Sequence, residues 1–190
     1  MFPFSFPTPP PDSAAGSGDH HGLIQYASSS SNTCACLQCL AYSSSSPLTA
    51  TDAQYSTLAA DITCLFWFSS WSAASADFRS FVSGLLARTQ VSRPVITLAL
   101  LYLHRLRMCA PHVVAGAAHG SEFRVFTVAV MLASKFLDDN TFTNRTWADV
   151  SRMPVREITV MEVEFLRHVD YDLVVNATQW ADWTDTLAGF

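Results

Sequence analysis

Lysine is almost absent from this chain: of the eleven basic residues among 190, ten are arginine and one, Lys135, is lysine. Basic residues of either kind are missing from the whole first part. None precedes Arg79, while Asp12, Asp19, Asp52, Asp61 and Asp77 all lie in that stretch. A secretory signal needs a basic start and a mitochondrial presequence needs arginines, so neither is expected. Beyond that point the two signs balance, and the formal charge of −5 comes from the first part. There is no basic stripe to neutralise phosphates, which argues against nucleic-acid binding. No apolar run approaches the ~20 residues of a membrane span. The nearest, Ile62 to Phe68, is short and follows Asp61. Cysteines number five, at 34, 36, 39, 64 and 109. An odd set without secretory context reads as intracellular thiols, not a disulfide framework. Also missing are a nucleophile elbow, a phosphate-binding loop and a paired-carboxylate spacing. Those absences point to a binding module without cofactor, not to an enzyme.

What is present divides into a tail and a body. Residues 1–54 are rich in Pro, Ser and Gly, and are expected to be disordered. Cys34, Cys36 and Cys39 form a C-x-C-x-x-C cluster there. Three soft ligands are a weak metal signal without a second C-x-x-C or a histidine pair, and the metal reading is set aside for an unstructured cysteine tract. Residues 55–74 are apolar and aromatic, a linker that packs on the body in a way the pattern does not define. Residues 75–190 read as helical throughout, with no convincing strand alternation and no internal repeat. Phe78, Phe81, Val82, Leu85 and Leu86 share one helical face, capped by Ser75 or Asp77. Ser92 and Pro94 start a helix that stops before Pro111. Gly120-Ser121-Glu122 starts the next, with an acid in its first turn. From Phe123 to Leu132 that helix is apolar nearly all round, the mark of a helix at the centre of a bundle. Thr146 to Asp149 resembles a capping box for a short helix. A further helix covers Val155 to Val169, and Asn176-x-x-Gln179 caps a last one carrying Trp180, Trp183 and Leu187.

Two charged residues break the pattern. Lys135 closes the long apolar stretch ending at Leu137, as a helix-end charge or as a contact for a partner. Glu162 falls on the face shared by Ile158, Met161, Phe165 and Val169, at ~100° per residue. A carboxylate there is costly unless paired. Lys135, Arg124 and Arg156 are the available partners. The plain reading is an internal salt bridge that stabilises the bundle. The sharper reading is a polar pair at the edge of an apolar patch, hydrogen-bonding a partner's backbone. Glu164 points away from that face and reads as an ordinary solvated carboxylate. Asp138 and Asp139 follow Lys135 at a helix C-terminus, where the macrodipole disfavours negative charge. Their local role is to bond backbone groups of the Asn140–Asn144 loop. His104, His112, His119 and His168 show no ligand spacing, and none is assigned catalysis.

Three runs in order then resemble a known family. They are Phe78 to Ser92, Leu100 to Arg107 and Gly120 to Asn140, continued through Thr143 to Trp147, Met161 to Leu166 and Tyr171 to Leu173. Together they look like the cyclin box of fungal Pho/PCL-type cyclins, over roughly residues 77–188. The resemblance implies an all-α fold: a single five-helix cyclin box with an extra N-terminal helix, preceded by the disordered tail. The box helices would cover 93–108, 121–137, 146–151, 155–169 and 177–188, with the extra helix at 77–88. It implies a regulatory subunit that binds and activates a cyclin-dependent protein kinase, in nutrient or cell-cycle control. In cyclins an Ala-x-Lys lysine and a glutamate after Met anchor the kinase. Here these match Lys135 and Glu162, with Phe136, Asp138 and Asp139 beside them. The Met-Arg-Ala-Ile-Leu substrate-docking patch is missing, since the chain has Pro94 to Leu100 in its place. A second cyclin fold is not expected after the fifth helix, and both absences would fit the Pho/PCL type. Two other readings fit the residues: a cyclin-fold adaptor for a non-kinase partner, and a metal or redox sensor using Cys34, Cys36 and Cys39. No nuclear-import signal is visible, so nucleus and cytoplasm both stay open.

Overall fold

A computed structural model describes residues 52–68 and 73–190. Among these residues there are eight helices and no strand. They are α1 (Asp52–Phe68), α2 (Ala76–Thr89), α3 (Arg93–Cys109), α4 (Pro111–Ala115), α5 (Ser121–Leu137), α6 (Asn144–Ser151), α7 (Val155–His168) and α8 (Ala177–Ala188). The extra helix and the five further helices therefore stand where the resemblance implied them, within a residue or two at each end. The tail reading for residues 1–51 and the cluster of Cys34, Cys36 and Cys39 lie outside the described residues, whereas residues 52–54, expected in the tail, open α1 because the helical pattern of the apolar stretch extends back to Asp52.

Helix α5 is the centre. Every residue from Val125 to Ser134 is buried, and α3 packs along it as the main partner, with α1, α2, α6 and α7 around it. The all-round apolar sequence is thus answered by neighbours on every side. Phe78 of α2 is fully buried and meets Phe123 and Phe126 of α5 edge-on, at 5.1 and 6.1 Å. Such edge contacts add to the area that the rings bury. Tyr102 of α3 donates from its hydroxyl to the Leu173 carbonyl at 3.0 Å, and Trp183 of α8 donates to the Thr97 carbonyl at 2.9 Å. The polar tips of these buried rings are therefore satisfied, as a low-dielectric interior demands.

The apolar stretch ahead of α2 is an integral helix as far as Phe68. Ala59, Ala60, Ile62, Cys64, Phe66 and Trp67 of α1 are buried against α2, α3, α4 and α5. Trp67 donates to Ser121 Oγ at 2.6 Å, and Arg107 donates to the Leu65 carbonyl at 2.9 Å. Asp61 accepts from Arg79 at 2.8 Å and from the Ala74 amide at 2.8 Å. This carboxylate ties the start of α2 back to α1.

Local caps explain the boundaries. Ser75 accepts from the Phe78 amide at 3.1 Å, and Asn176 and Gln179 form a reciprocal capping box. At α5 the turn residue is Gly120, with φ of 93°, a conformation that favours glycine. Glu122 bends back to accept from the Gly120 amide at 2.6 Å. One cap differs from the expectation. Helix α6 starts at Asn144, and its cap is Thr143, which accepts from the Thr146 amide at 3.3 Å. Thr146 lies inside the first turn instead. The earlier start carries Asn144 into the helix, where its side chain finds partners on two other helices.

Candidate functional site

Lys135 stands in the last turn of α5, a place where a cation complements the macrodipole. Its side chain leaves the buried core and is 28% exposed. The ammonium donates to Glu162 Oε1 of α7 at 2.6 Å and to Asn144 Oδ1 of α6 at 2.5 Å. Asn144 in turn donates through Nδ2 to Glu162 Oε2 at 2.7 Å. Three helices thus meet in a closed ring of charge-assisted hydrogen bonds, the strong kind.

Glu162 holds its place because of helical spacing. Ile158, Met161, Phe165 and Val169 are all buried, and Glu162 flanks that stripe with its side chain 16% exposed. Helical spacing alone predicts Glu162 within that face. It stands at the edge, where one side meets the core and the other meets solvent. Arg124, an alternative partner by sequence, pairs with Glu157 at 2.5 Å, and Arg156 is exposed. Lys135 is therefore the cation that neutralises Glu162.

Exposed apolar side chains lie on the helix that carries Glu162 and on the loop before Asn144. Val155 is 41% exposed and Val163 is 37% exposed; by helical spacing they lie on the outward side of Glu162. Phe142, at 40%, precedes Asn144 in the loop and stands edge-on to Trp147 at 6.2 Å. Trp147 itself is fully buried, and its indole N–H has no partner among the described residues. Such an orphan donor costs about 1–3 kcal/mol, offset by the ring area buried.

Other sequence-picked residues have different surroundings. Phe136 is half-buried and Asp139 is exposed. Asp138 turns back to accept from Ser134 Oγ at 2.8 Å, instead of bonding the loop backbone that follows. The Ser134 hydroxyl is one helical turn back from Asp138, within direct reach of its carboxylate. Glu164 is not fully solvated: it is half-buried, and burial raises its carboxyl pKa, with Arg167 opposing. Asn144 was not singled out by sequence. Its partners come from two other helices, and nothing local distinguishes it from a helix-start asparagine.

The histidines sit against other rings. His104 lies between Phe66 and Trp183, with centroids 5.4 Å from each. Burial lowers its pKa, and the charges of Arg107 and Arg105 act in the same direction. His168 ends α7 beside His112, at 5.8 Å. Its pKa is lowered by burial and then by His112. Cys64 is buried, which pushes its thiol up to about 11, whereas Cys109 is exposed. Among the described residues no group of three or more His, Cys, Asp or Glu could hold a metal. Among them, too, no helix is long and apolar enough to cross a membrane.

The family model for cyclins matches residues 25–173. The chain belongs to the cyclin family. The matched stretch includes α1 and runs from there through the Lys135–Asn144–Glu162 ring. This cyclin is 34% identical over 113 residues to the G1/S-specific cyclin pas1 of Schizosaccharomyces pombe, covering 58% of this chain and 27% of that one. It is 29% identical over 98 residues to PHO85 cyclin-2 of Saccharomyces cerevisiae, covering 50% and 32%. With PHO85 cyclin-9 of the same yeast it shares 25% over 116 residues, covering 60% and 37%. These matches place it with the Pho/PCL-type cyclins. The matched stretch spans between 27% and 37% of these relatives' own lengths. No solved structure gives a significant match.

Proposed function

We propose that this cyclin binds and activates the catalytic subunit of a cyclin-dependent Ser/Thr protein kinase, as a regulatory subunit without catalytic chemistry of its own. Family membership supports the class of partner. The observation that carries the surface is the Lys135–Glu162 ring, partly open to solvent, on helices that also expose Val155 and Val163. Interfaces draw most of their energy from apolar area with a few polar anchors near the centre. Lys135 and Glu162 serve as those anchors, and Phe136, Asp138 and Asp139 flank them. The names of the relatives refer to PHO85 and to the G1/S step. A kinase of that class is the partner proposed, with substrate direction in nutrient or cell-cycle control.

The mechanism is a population shift. An isolated kinase samples active and inactive positions of its regulatory elements. A cyclin that binds the active arrangement better pulls the population toward it, by as much as its differential affinity allows. Main-chain groups of the kinase are suitable targets for an ammonium and a carboxylate, because they offer acceptor and donor together. Co-expression of the full chain with such a catalytic subunit, followed by co-purification and a peptide phosphorylation assay, tests this reading. A stoichiometric complex with raised activity supports it. Recovery of the cyclin alone, with kinase activity unchanged, sinks it in favour of an adaptor for a different partner.

A further inference from the structure

A lysine–glutamate pair alone is a poor template. Lysine has a long flexible stem, and an exposed ion pair gains little because holding both chains in one geometry costs entropy. Here a third residue removes much of that freedom. Asn144 uses its amide oxygen to accept from Lys135 Nζ at 2.5 Å and its amide nitrogen to donate to Glu162 Oε2 at 2.7 Å. The same nitrogen leans toward Thr159 Oγ1 at 3.4 Å. This orientation of the amide is the one the network selects: reversed, a donor would face the ammonium and an acceptor the carboxylate.

The donor and acceptor inventory is then definite. An ammonium has three donors; one goes to Glu162 and one to Asn144. A carboxylate has about four lone-pair sites; one on each oxygen is engaged. One donor and two acceptor sites remain on groups that reach the surface. Asn144 is also well anchored. It is the first residue of α6, directly after the Thr143 cap, so its backbone is set by the helix start.

We propose that Asn144 is a positioning residue for kinase binding. It holds the Lys135 ammonium and the Glu162 carboxylate in one geometry before the partner arrives, so the partner's main chain meets a prepared donor and acceptor. The inference rests on the kinase-binding reading above. Asparagine is the side chain that bridges a cation and an anion at this short reach. Alanine leaves both unbridged. Aspartate accepts from Lys135 but repels Glu162, while an acid suits a helix N-terminus and keeps α6 intact. The effect belongs to binding and not to folding: ordering that is complete before association is not charged to association.

The chain's single lysine makes the test direct. Protein with isotope-labelled lysine gives one side-chain signal, that of Lys135. In the wild type the two Cε protons are expected to be inequivalent and the Nζ protons slow to exchange. In Asn144→Ala they become equivalent and fast, with the melting temperature nearly unchanged. Kinase affinity falls about tenfold in Asn144→Ala and more in Asn144→Asp. In a Lys135→Ala background, adding Asn144→Ala produces no further loss. An unchanged lysine signal in both Asn144 variants overturns the proposal. So does wild-type kinase affinity in both, or an equal loss with and without Lys135. If the wild type captures no kinase at all, the function proposed above falls, and the lysine signal still decides whether Asn144 fixes Lys135.

Discussion

The Lys135 ammonium and the Glu162 carboxylate meet at 2.6 Å although 27 residues separate them in the chain. The contact joins the end of the central helix to the edge of α7, and it leaves both groups partly open to solvent. A pair buried deep in a bundle serves folding. A pair at the rim can serve folding modestly and recognition strongly.

Removing either charge is expected to leave the cyclin folded. Lys135→Ala and Glu162→Ala should each lower stability by about 1–2 kcal/mol, since an imperfectly solvated partner is left behind. For a chain of this size that corresponds to roughly 2–8 °C in melting temperature. Thermal denaturation followed by circular dichroism measures it. Global unfolding at room temperature would make the pair a folding element first.

Helix α1 should behave as part of the body. Trp67→Phe removes the indole bond to Ser121 and some buried ring volume, at a cost of about 1–3 kcal/mol. Urea denaturation should show one transition shifted to lower midpoint. A separate early transition for α1, with the rest unaffected, would mean that the helix is only loosely attached.

Glu164 gives a pH signature. Its folded pKa is raised above the ordinary 4.5 by burial. A raised carboxyl pKa means the folded state holds its proton more tightly than the unfolded chain. That contribution is fully present below about 4.5 and is lost as pH rises through the folded value. At neutral pH the charged carboxylate is therefore a small net cost. Glu164→Gln should raise the melting temperature slightly at pH 7 and not at pH 4. A loss at pH 7 would contradict the assignment.

The histidines act on the acid side. His104 and His168 have folded pKa values below the ordinary 6.5. As pH falls below about 6.5 the unfolded chain takes up protons that the folded chain refuses. Stability should drop over that range and level once pH passes below the folded values. Replacing both with Gln should flatten the slope between about pH 7 and pH 5 in urea titrations. An undiminished slope would assign it to other groups.

The sequence made some of this legible and hid the rest for physical reasons. The cap at Ser75, the box at Asn176 and Gln179, and the all-round burial of α5 rest on local spacing, and local spacing is what a sequence displays. Glu162 was separable from Glu164 for the same reason, although its place at the edge of the face depends on how α7 leans on α5. Helix α1 could not be read, because a helix buried against four others carries no one-sided stripe. The choice of Thr143 over Thr146 as cap, and the bridging role of Asn144, depend on partners from other helices that only the fold brings near. For Asp138 the spacing suggests the following loop, but its carboxylate accepts from the Ser134 hydroxyl one turn back.

The central claim is that Lys135 and Glu162 are the polar anchors of a kinase interface. Its most direct test is the affinity of folded Lys135→Ala, Glu162→Ala and the double variant for the catalytic subunit, measured by calorimetry with activation read in parallel. Each single change should weaken binding by about 2–5 kcal/mol, roughly thirtyfold or more in Kd. The double variant should lose less than the sum, because the two side chains act as one unit. Folded variants that bind and activate the kinase as the wild type does would contradict the account.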